Sequence, residues 1–159
     1  MPTGPTIVIG GEVDYLHSNS ILGKGQYVIA EADESDGTFL KQHPYIAVVT
    51  NIDADHMDHY NSLENVIAAF KEFIQKLDPE KGLAVLCFEN DKIRAMAPSI
   101  GRRYVSYGLE QPADYQARDL HYLKGKLHFS VYKGGQKMGD MVLKVPGRHN
   151  VLNAWRRRP

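Results

Sequence analysis

The sequence predicts an α/β fold: a mostly parallel sheet flanked by helices, with a small antiparallel β appendage. Three observations carry this reading. Short continuous apolar runs rich in Val and Ile recur at 6–9, 27–32, 45–50 and 83–88, with a weaker one at 103–107. A long amphipathic helical pattern lies between the third and fourth runs, and from about residue 114 the chain switches to alternating polar and apolar residues around glycine turns. Continuous runs suit strands buried on both faces of a parallel sheet, whereas alternation suits antiparallel hairpins with one wet face.

In chain order, the helix signal is "SLENVIAAFKEFIQKLDPEKG". Ser62, with an acid soon after it, caps the start. Leu63, Val66, Ile67, Phe70, Phe73, Ile74 and Leu77 then fall at intervals of three and four, and Pro79 and Gly82 stop the helix. A second, shorter helix is expected over 90–97, ended by Pro98. The later segments "YQARDLHYL", "LHFSVY" and "MGDMVLKV" are separated by "KGK" and "KGGQK", which read as hairpin turns. The expected layout is one domain over 1–154, with a parallel α/β layer at 6–107 and antiparallel strands at 114–145.

A chain of 159 residues fits one ordinary domain. Nineteen basic and nineteen acidic residues cancel, so the balance points neither to nucleic acid nor to a membrane surface. No apolar stretch approaches the length of a membrane span, and the N-terminus lacks a signal-peptide pattern, so the expectation is a soluble, unsecreted protein. The single cysteine, Cys87, sits in the apolar run "LAVLCF" and reads as a buried thiol. One cysteine builds no disulfide framework within a chain, which suits a reducing cytoplasm. The ending "WRRRP", residues 155–159, is expected to be a non-native tail, with a native basic tail as the competing reading.

Chemistry gathers where the strands end. The run at 27–30 leads into "EADESD", 31–36, and the run at 45–50 leads into "NIDADHMDH", 51–59. In open α/β sheets, ligands sit beyond the carboxyl ends of the strands. If these two strands are parallel neighbours, both acidic loops open on one side. Crowded carboxylates raise one another's pKa unless a cation neutralises them. Hard oxygen donors with few imidazoles suit Mg²⁺ or Mn²⁺ more than zinc.

Taken singly, Asp33, Glu34 and Asp36 read more plainly as loop-solvating or helix-capping acids. Two such loops, the second with a histidine, favour a site. His17, His43, His59, His121 and His128 lack this setting and read as surface or packing residues. Near the end, "VPGRHNVLNA" places Asn150 and Asn153 around a helix start. An asparagine amide can pair with an adenine edge, although capping is the usual role at such a position.

The segments "AEADESDGTF", "VVTNIDADHMDHY" and "PGRHNVLNA", in this order and spacing, resemble the Mur ligase family over nearly all of 3–154, and within it the alanine-adding branch. The resemblance implies a central ATPase domain of P-loop type. It further implies an ATP-dependent, C–N bond-forming ligase of the bacterial cytoplasm acting in peptidoglycan precursor synthesis. Such an enzyme joins L-alanine to the lactoyl carboxylate of UDP-N-acetylmuramate through an acyl phosphate, with ATP as co-substrate and Mg²⁺ or Mn²⁺ as the ion.

By motif, the resemblance assigns Glu31 and His56 as catalytic ligands of the magnesium site. It assigns Asn150 and Asn153 to the adenine, with His149 beside them. Asn51, Asp55, Asp58, Asp33 and Ser35 belong to the same motifs and are expected to orient ligands or substrate. Lys71 falls near the spacing at which several members carry a carbamylated lysine. The alanine-adding branch is generally not known for that modification, and a solvated helix surface is the competing reading.

The sequence also departs from the family pattern. It contains no GxxGK[ST] phosphate loop, which the family places upstream of the point where this chain begins. The family's UDP-gripping and amino-acid-binding domains are likewise missing, so the expectation is an inactive fragment. Loss of the first strand and helix of the ATPase fold is expected to leave apolar sheet surface open and to favour self-association. Two rival readings stand beside the ligase: a metal-dependent phosphoesterase built on "DADHMD", and a non-catalytic nucleotide-binding module.

Overall fold

The computed structural model describes residues 4–13 and 18–154. The expectations for His17 and for the tail at 155–159 lie outside the described residues. The chain divides into two units, Met1–Lys41 and Gln42–Pro159.

The first unit is a three-stranded sheet of β1 (Thr6–Val13), β2 (Ser18–Ile21) and β3 (Val28–Ala30), in the order β2-β1-β3. β1 pairs antiparallel with β2 and parallel with β3, in the register Thr6 with Val28, Ile7 with Ile29 and Val8 with Ala30. A 3-10 turn at Thr38–Lys41 follows and buries Phe39. The apolar run at 27–32 is not buried on both faces as expected: Val28 is 66% and Ile29 55% exposed. The physical reason is that β3 is a three-residue edge strand, and no α-helix lies among the described residues of its unit to cover it.

The second unit carries a six-stranded sheet in sequential order, β4 (Ile46–Val49), β5 (Leu83–Cys87), β6 (Tyr104–Gly108), β7 (Tyr115–Leu123), β8 (Lys126–Lys133) and β9 (Gln136–Leu143). β4, β5 and β6 are parallel, with Val48 opposite Val85 and Val85 opposite Val105. β4 buries Ala47 and Val49 on one face and exposes Ile46 and Val48 on the other, so its burial is one-sided rather than two-sided.

The antiparallel strands prove continuous with the parallel layer. β7 runs parallel to β6 over two pairs before β8 and β9 continue antiparallel. The sharp return from β6 to β7 is held by Asp114, whose Oδ2 accepts from the Ser106 amide at 2.8 Å and the Ser106 hydroxyl at 2.7 Å. The Asp114 amide donates back to Ser106 Oγ at 2.9 Å. Both hairpin turns are two-residue, with positive φ at both positions: Lys124 and Gly125 at 51° and 72°, Gly134 and Gly135 at 54° and 84°. This geometry matches the right-handed strand twist and explains the glycines there.

Four α-helices complete the unit: α1 (Met57–Tyr60), α2 (Leu63–Gln75), α3 (Asp91–Met96) and α4 (Arg148–Ala154). The Ser62 side chain caps α2 by accepting from the Asn65 amide at 3.2 Å. α2 ends at Gln75, before Pro79, because Arg102 takes up its terminal carbonyls. The guanidinium donates to Leu77 O at 3.0 Å and Gln75 O at 2.6 Å. Pro79 instead lies in a turn where Asp78 accepts from the amides of Glu80 and Lys81. α3 is capped by Asn90 and passes into a 3-10 turn, Ala97–Ser99, that incorporates Pro98. α4 inserts the fully buried Val151 into a cluster with Ala117, Leu127 and Phe129. Burying such a side chain contributes about 1.5–3 kcal/mol and fixes the helix against the antiparallel strands.

Glu89, just after β5, joins these parts. Its Oε1 accepts from the amides of Leu109 at 2.8 Å, Glu110 at 3.0 Å and Gln111 at 3.0 Å. Glu110 in turn pairs with Arg148 at the start of α4. Burial alone would raise the Glu89 carboxyl, but the amides of Gln111, Leu109 and Glu110 outweigh it and hold the group below its ordinary value of 4.5. A carboxyl depressed in the folded state stabilises the fold above its unfolded pKa, and that contribution is lost as pH falls through the folded pKa. Glu89→Gln is therefore expected to cost about 1–2 kcal/mol at pH 7 in urea unfolding. The gap to the wild type should narrow below pH 4.5. A gap independent of pH contradicts this role.

α1 is a single turn bounded by two left-handed residues, His56 at φ 55° and Asn61 at φ 63°. Histidine and asparagine tolerate this region better than most residues, whereas β-branched residues do not. His56→Gly is expected to preserve or raise stability by up to about 1 kcal/mol, and His56→Val to lower it by about 1–2 kcal/mol. Thermal unfolding of both variants checks the sign.

Candidate functional site

The residues nominated from the sequence fall at strand ends in both units. In the first, Glu31 directly follows β3. Its amide donates to Val8 O at 2.9 Å, continuing the β1–β3 ladder by one step. Its Oε2 accepts from the Gly10 amide at 2.8 Å. A Cβ at position 10 would lie 3.4 Å from that oxygen, an ordinary contact. One carboxylate oxygen is thus fixed by an amide of the neighbouring strand while the side chain stays exposed.

Asp33 and Asp36 serve turn chemistry, in line with their plainer reading. Asp33 accepts from the Ser35 amide at 2.8 Å, and Asp36 accepts from the Thr38 amide at 2.9 Å at the start of the 3-10 turn. The Thr38 amide and side chain hold the Asp36 carboxyl below its ordinary range. Ser35 enters this network through its backbone.

In the second unit, the loop after β4 is braced from both sides. Thr50 Oγ1 donates to Asn51 Oδ1 at 3.0 Å, and Asn51 Nδ2 donates to Asp53 Oδ2 at 3.0 Å. Ile52 between them is 1% exposed. Its carbonyl accepts from Asn90 Nδ2 at 3.2 Å, while Asn90 Oδ1 caps α3 through the amides of Lys92 and Ile93. The buried Ile52 and the Asn90 bond anchor a loop whose Asp55, His56 and Asp58 are all exposed. His56 carries the left-handed backbone, and its carbonyl accepts from the amides of His59 and Tyr60. A strained conformation at a nominated ligand fits the tendency of such strain to gather at functional positions.

Lys71 sits half-buried on α2. At the start of α4, Asn150 Nδ2 donates to Pro146 O at 2.6 Å, tying the first turn of the helix to the preceding loop, whereas an N-cap would accept from a backbone amide. Asn153, three residues on, lies on the same helix face and is exposed. The His149 ring packs over Gly147, where a Cβ would come within 2.6 Å of it, and the Gly147 amide donates to the Tyr122 hydroxyl at 3.0 Å. None of the nominated residues lines the shallow cleft of about 470 Å³ bounded by Phe88, Tyr104, Ser106, Pro112, Ala113 and Asp114.

Glu31 belongs to the first unit and His56 to the second. Their strands have separate partners, β1 for β3 and β5 for β4, and no β3–β4 ladder occurs among the described residues. Within the second unit, the parallel register of β4, β5 and β6 delivers the loops at 50–56, 88–90 and 109–114 to one edge. The Glu31 carboxylate, with one oxygen tethered by an amide, is a hard oxygen donor of the kind Mg²⁺ takes. Among the described residues no three metal-type side chains converge on one point. Two residues were not singled out from the sequence, Glu89 and Asn90. The signal was available, since "EN" follows the buried strand β5 as the acidic loops follow β3 and β4.

The model for the Mur ligase middle domain matches residues 15–156. The chain is 47% identical over 150 residues to the UDP-N-acetylmuramate–L-alanine ligase of Syntrophotalea carbinolica, covering 94% of this chain and 32% of that protein. It is 49% identical over 151 residues to the enzyme of the same name from Geobacter sulfurreducens, with the same coverage. Among solved structures, a UDP-N-acetylmuramate–alanine ligase from Thermotoga maritima superposes with a TM-score of 0.80 at 31% identity, over 96% of this chain and 33% of that one. The Neisseria UDP-N-acetylmuramate:L-alanyl-γ-D-glutamyl-meso-diaminopimelate ligase shares the fold, with a TM-score of 0.80 at 22% identity over 96% of this chain and 50% of that one. The chain spans about a third of the length of the curated relatives it matches. The α/β architecture, the three motifs and the matched model agree, and the chain belongs to the Mur ligase family, whose middle domain it represents.

Proposed function

We propose that this chain is the nucleotide-handling middle portion of a ligase that adds L-alanine to UDP-N-acetylmuramate at the expense of ATP, in the bacterial cytoplasm. The observation that carries this reading is the 47% identity, over nearly the whole chain, to ligases of that name. No helix among the described residues is long and apolar enough to cross a membrane.

In this reading Glu31 and His56 are each magnesium ligands. Bound there, the ion would screen the charge that builds on the transferred phosphoryl group. The Gly10 amide keeps Glu31 from rotating away, and the braced loop from Asn51 to Asp53 presents His56. Asn150 and Asn153 face the adenine, with His149 beside them, and α4 is held in place by Val151 and by the Arg148–Glu110 pair. Asn51, Asp55, Asp58 and Ser35 orient ligands. The substrate carboxylate attacks the γ-phosphorus of ATP and ADP departs. The amine of alanine then attacks the resulting acyl phosphate, releasing phosphate and forming the amide.

The sequence contains no GxxGK[ST] loop, so the isolated chain is expected to lack turnover. Replacing the equivalent segment of the Geobacter sulfurreducens enzyme with residues 4–154 of this chain provides the test. The chimera is expected to release phosphate only when UDP-N-acetylmuramate, L-alanine and ATP are all present. Glu31→Ala and His56→Ala are each expected to lower kcat by about 10²-fold or more. Phosphate release from a simple phosphoester with Mn²⁺, independent of alanine, would favour the phosphoesterase instead. Nucleotide binding without turnover in the chimera would favour a non-catalytic module. Mass analysis of the intact chain tests carbamylation of Lys71, for which an unmodified mass is expected.

The uncovered apolar face at Ile46 and Val48 supports self-association of the isolated chain. Sedimentation at rising concentration is expected to give a mass above the 17.9 kDa monomer, and a concentration-independent monomer contradicts it.

A further inference from the structure

On the face of the antiparallel strands opposite the Leu127 and Phe129 core, two histidines meet. His121 on β7 is directly opposite His128 on β8. Their ring centroids are 5.3 Å apart and their planes differ by 18°. Directly opposed strand residues hold their Cβ atoms about 4.5–5.5 Å apart, a span over which two imidazoles can reach one ion.

The local backbone is shaped for this pair. Between Arg118 and His121 the β7–β8 ladder bulges, and Asp119 takes a left-handed φ of 57° in mid-strand. Its side chain is held by the Tyr132 hydroxyl, which donates to Asp119 Oδ2 at 3.2 Å. Its carbonyl lies 2.9 Å from His121 Nδ1. A carbonyl only accepts, so Nδ1 carries the proton and Nε2 keeps its lone pair. An imidazole whose other nitrogen is bound to a backbone carbonyl is the usual arrangement of a metal-ligating histidine. The bulge therefore selects the tautomer in which His121 can act as a ligand.

The surrounding charges balance. Asp140, whose charge acts on His121, pairs with Lys137 at 2.7 Å, and Arg118, three residues before His121, lies over the Tyr132 ring. Asp140 also accepts from Ser130 Oγ at 2.7 Å. A divalent ion would thus meet no excess of positive charge. His121 is exposed and His128 half-buried, leaving the outer side open to water for the remaining coordination positions.

We propose that His121 and His128 form a two-imidazole chelating site for a divalent transition ion of the nickel, copper or zinc class, bridging β7 and β8. Imidazole donors select this class over magnesium. The ion ties two neighbouring strands, so binding stabilises the hairpin.

Titration of the 159-residue chain with Ni²⁺ at pH 7.5, followed by calorimetry, tests the site. His121→Gln and His128→Gln are each expected to weaken the tightest binding event at least tenfold, and the double variant to weaken it no further. His43→Gln, at an exposed histidine elsewhere, is expected to leave it unchanged. Saturating Ni²⁺ should raise the Tm of the wild type and of His43→Gln, but not of the two site variants. Their metal-free circular dichroism and Tm should match the wild type, which separates lost binding from lost folding. In the wild type, Zn²⁺ should shift the Cε1–H resonances of His121 and His128 together. The proposal is overturned if either site variant keeps the wild-type affinity, or if Zn²⁺ shifts only one of the two imidazoles.

Discussion

The parallel register of β4, β5 and β6 is the constraint on which the rest of the second unit depends. Parallel strands end on one side, so the loop carrying His56, the Glu89–Asn90 pair and the 109–114 return all emerge along a single edge. The side chains at that edge then bind one another's backbones. Asn90 reaches from α3 to Ile52 O, and Glu89 gathers the amides at 109–111. Through the Glu110–Arg148 pair the same chain of contacts reaches the start of α4. The positions of His56 and of Asn150 thereby become consequences of one strand ladder.

A second theme is how negative charge is handled. The acids after β3 do not all await a cation. Asp33 and Asp36 are satisfied by amides two residues on, and Asp36 is held in its charged form by Thr38. Glu31 differs because its partner, the Gly10 amide, belongs to another strand and engages only Oε2. Local turns thus engage Asp33 and Asp36, whereas Glu31 is aimed by the sheet itself. On the other unit, the left-handed backbone at His56 plays the corresponding part, turning a loop into a single helical turn directly after the imidazole.

Much of this was legible in the sequence because its signals are local. The helix from Ser62 followed from apolar spacing and a capping serine, and the hairpins followed from alternation and from glycines that the turns at 124–125 and 134–135 require. What depended on distant partners was hidden. The end of α2 is set by Arg102, about 25 residues away, and not by the nearby Pro79. The exposure of Val28 and Ile29 depends on which elements cover β3, which their apolar character does not encode. Glu89 looked like any loop acid until the fold brought three amides to it. The motif residues Glu31, His56 and Asn150 were identified through family resemblance, and the structure adds what holds each of them. His121 and His128 read as surface or packing residues because a bulge cannot be inferred from alternation alone.

The proposal most open to a direct measurement is that Glu31 and His56 are each ligands of a divalent ion. Titrating the isotopically labelled chain with Mn²⁺ and following paramagnetic broadening of its amide resonances tests it directly. The signals of Gly10, Glu31 and His56 are expected to broaden on addition of Mn²⁺ and to recover when Mg²⁺ is added in excess. A signal of Glu31 or His56 that stays sharp at saturating Mn²⁺ would contradict it.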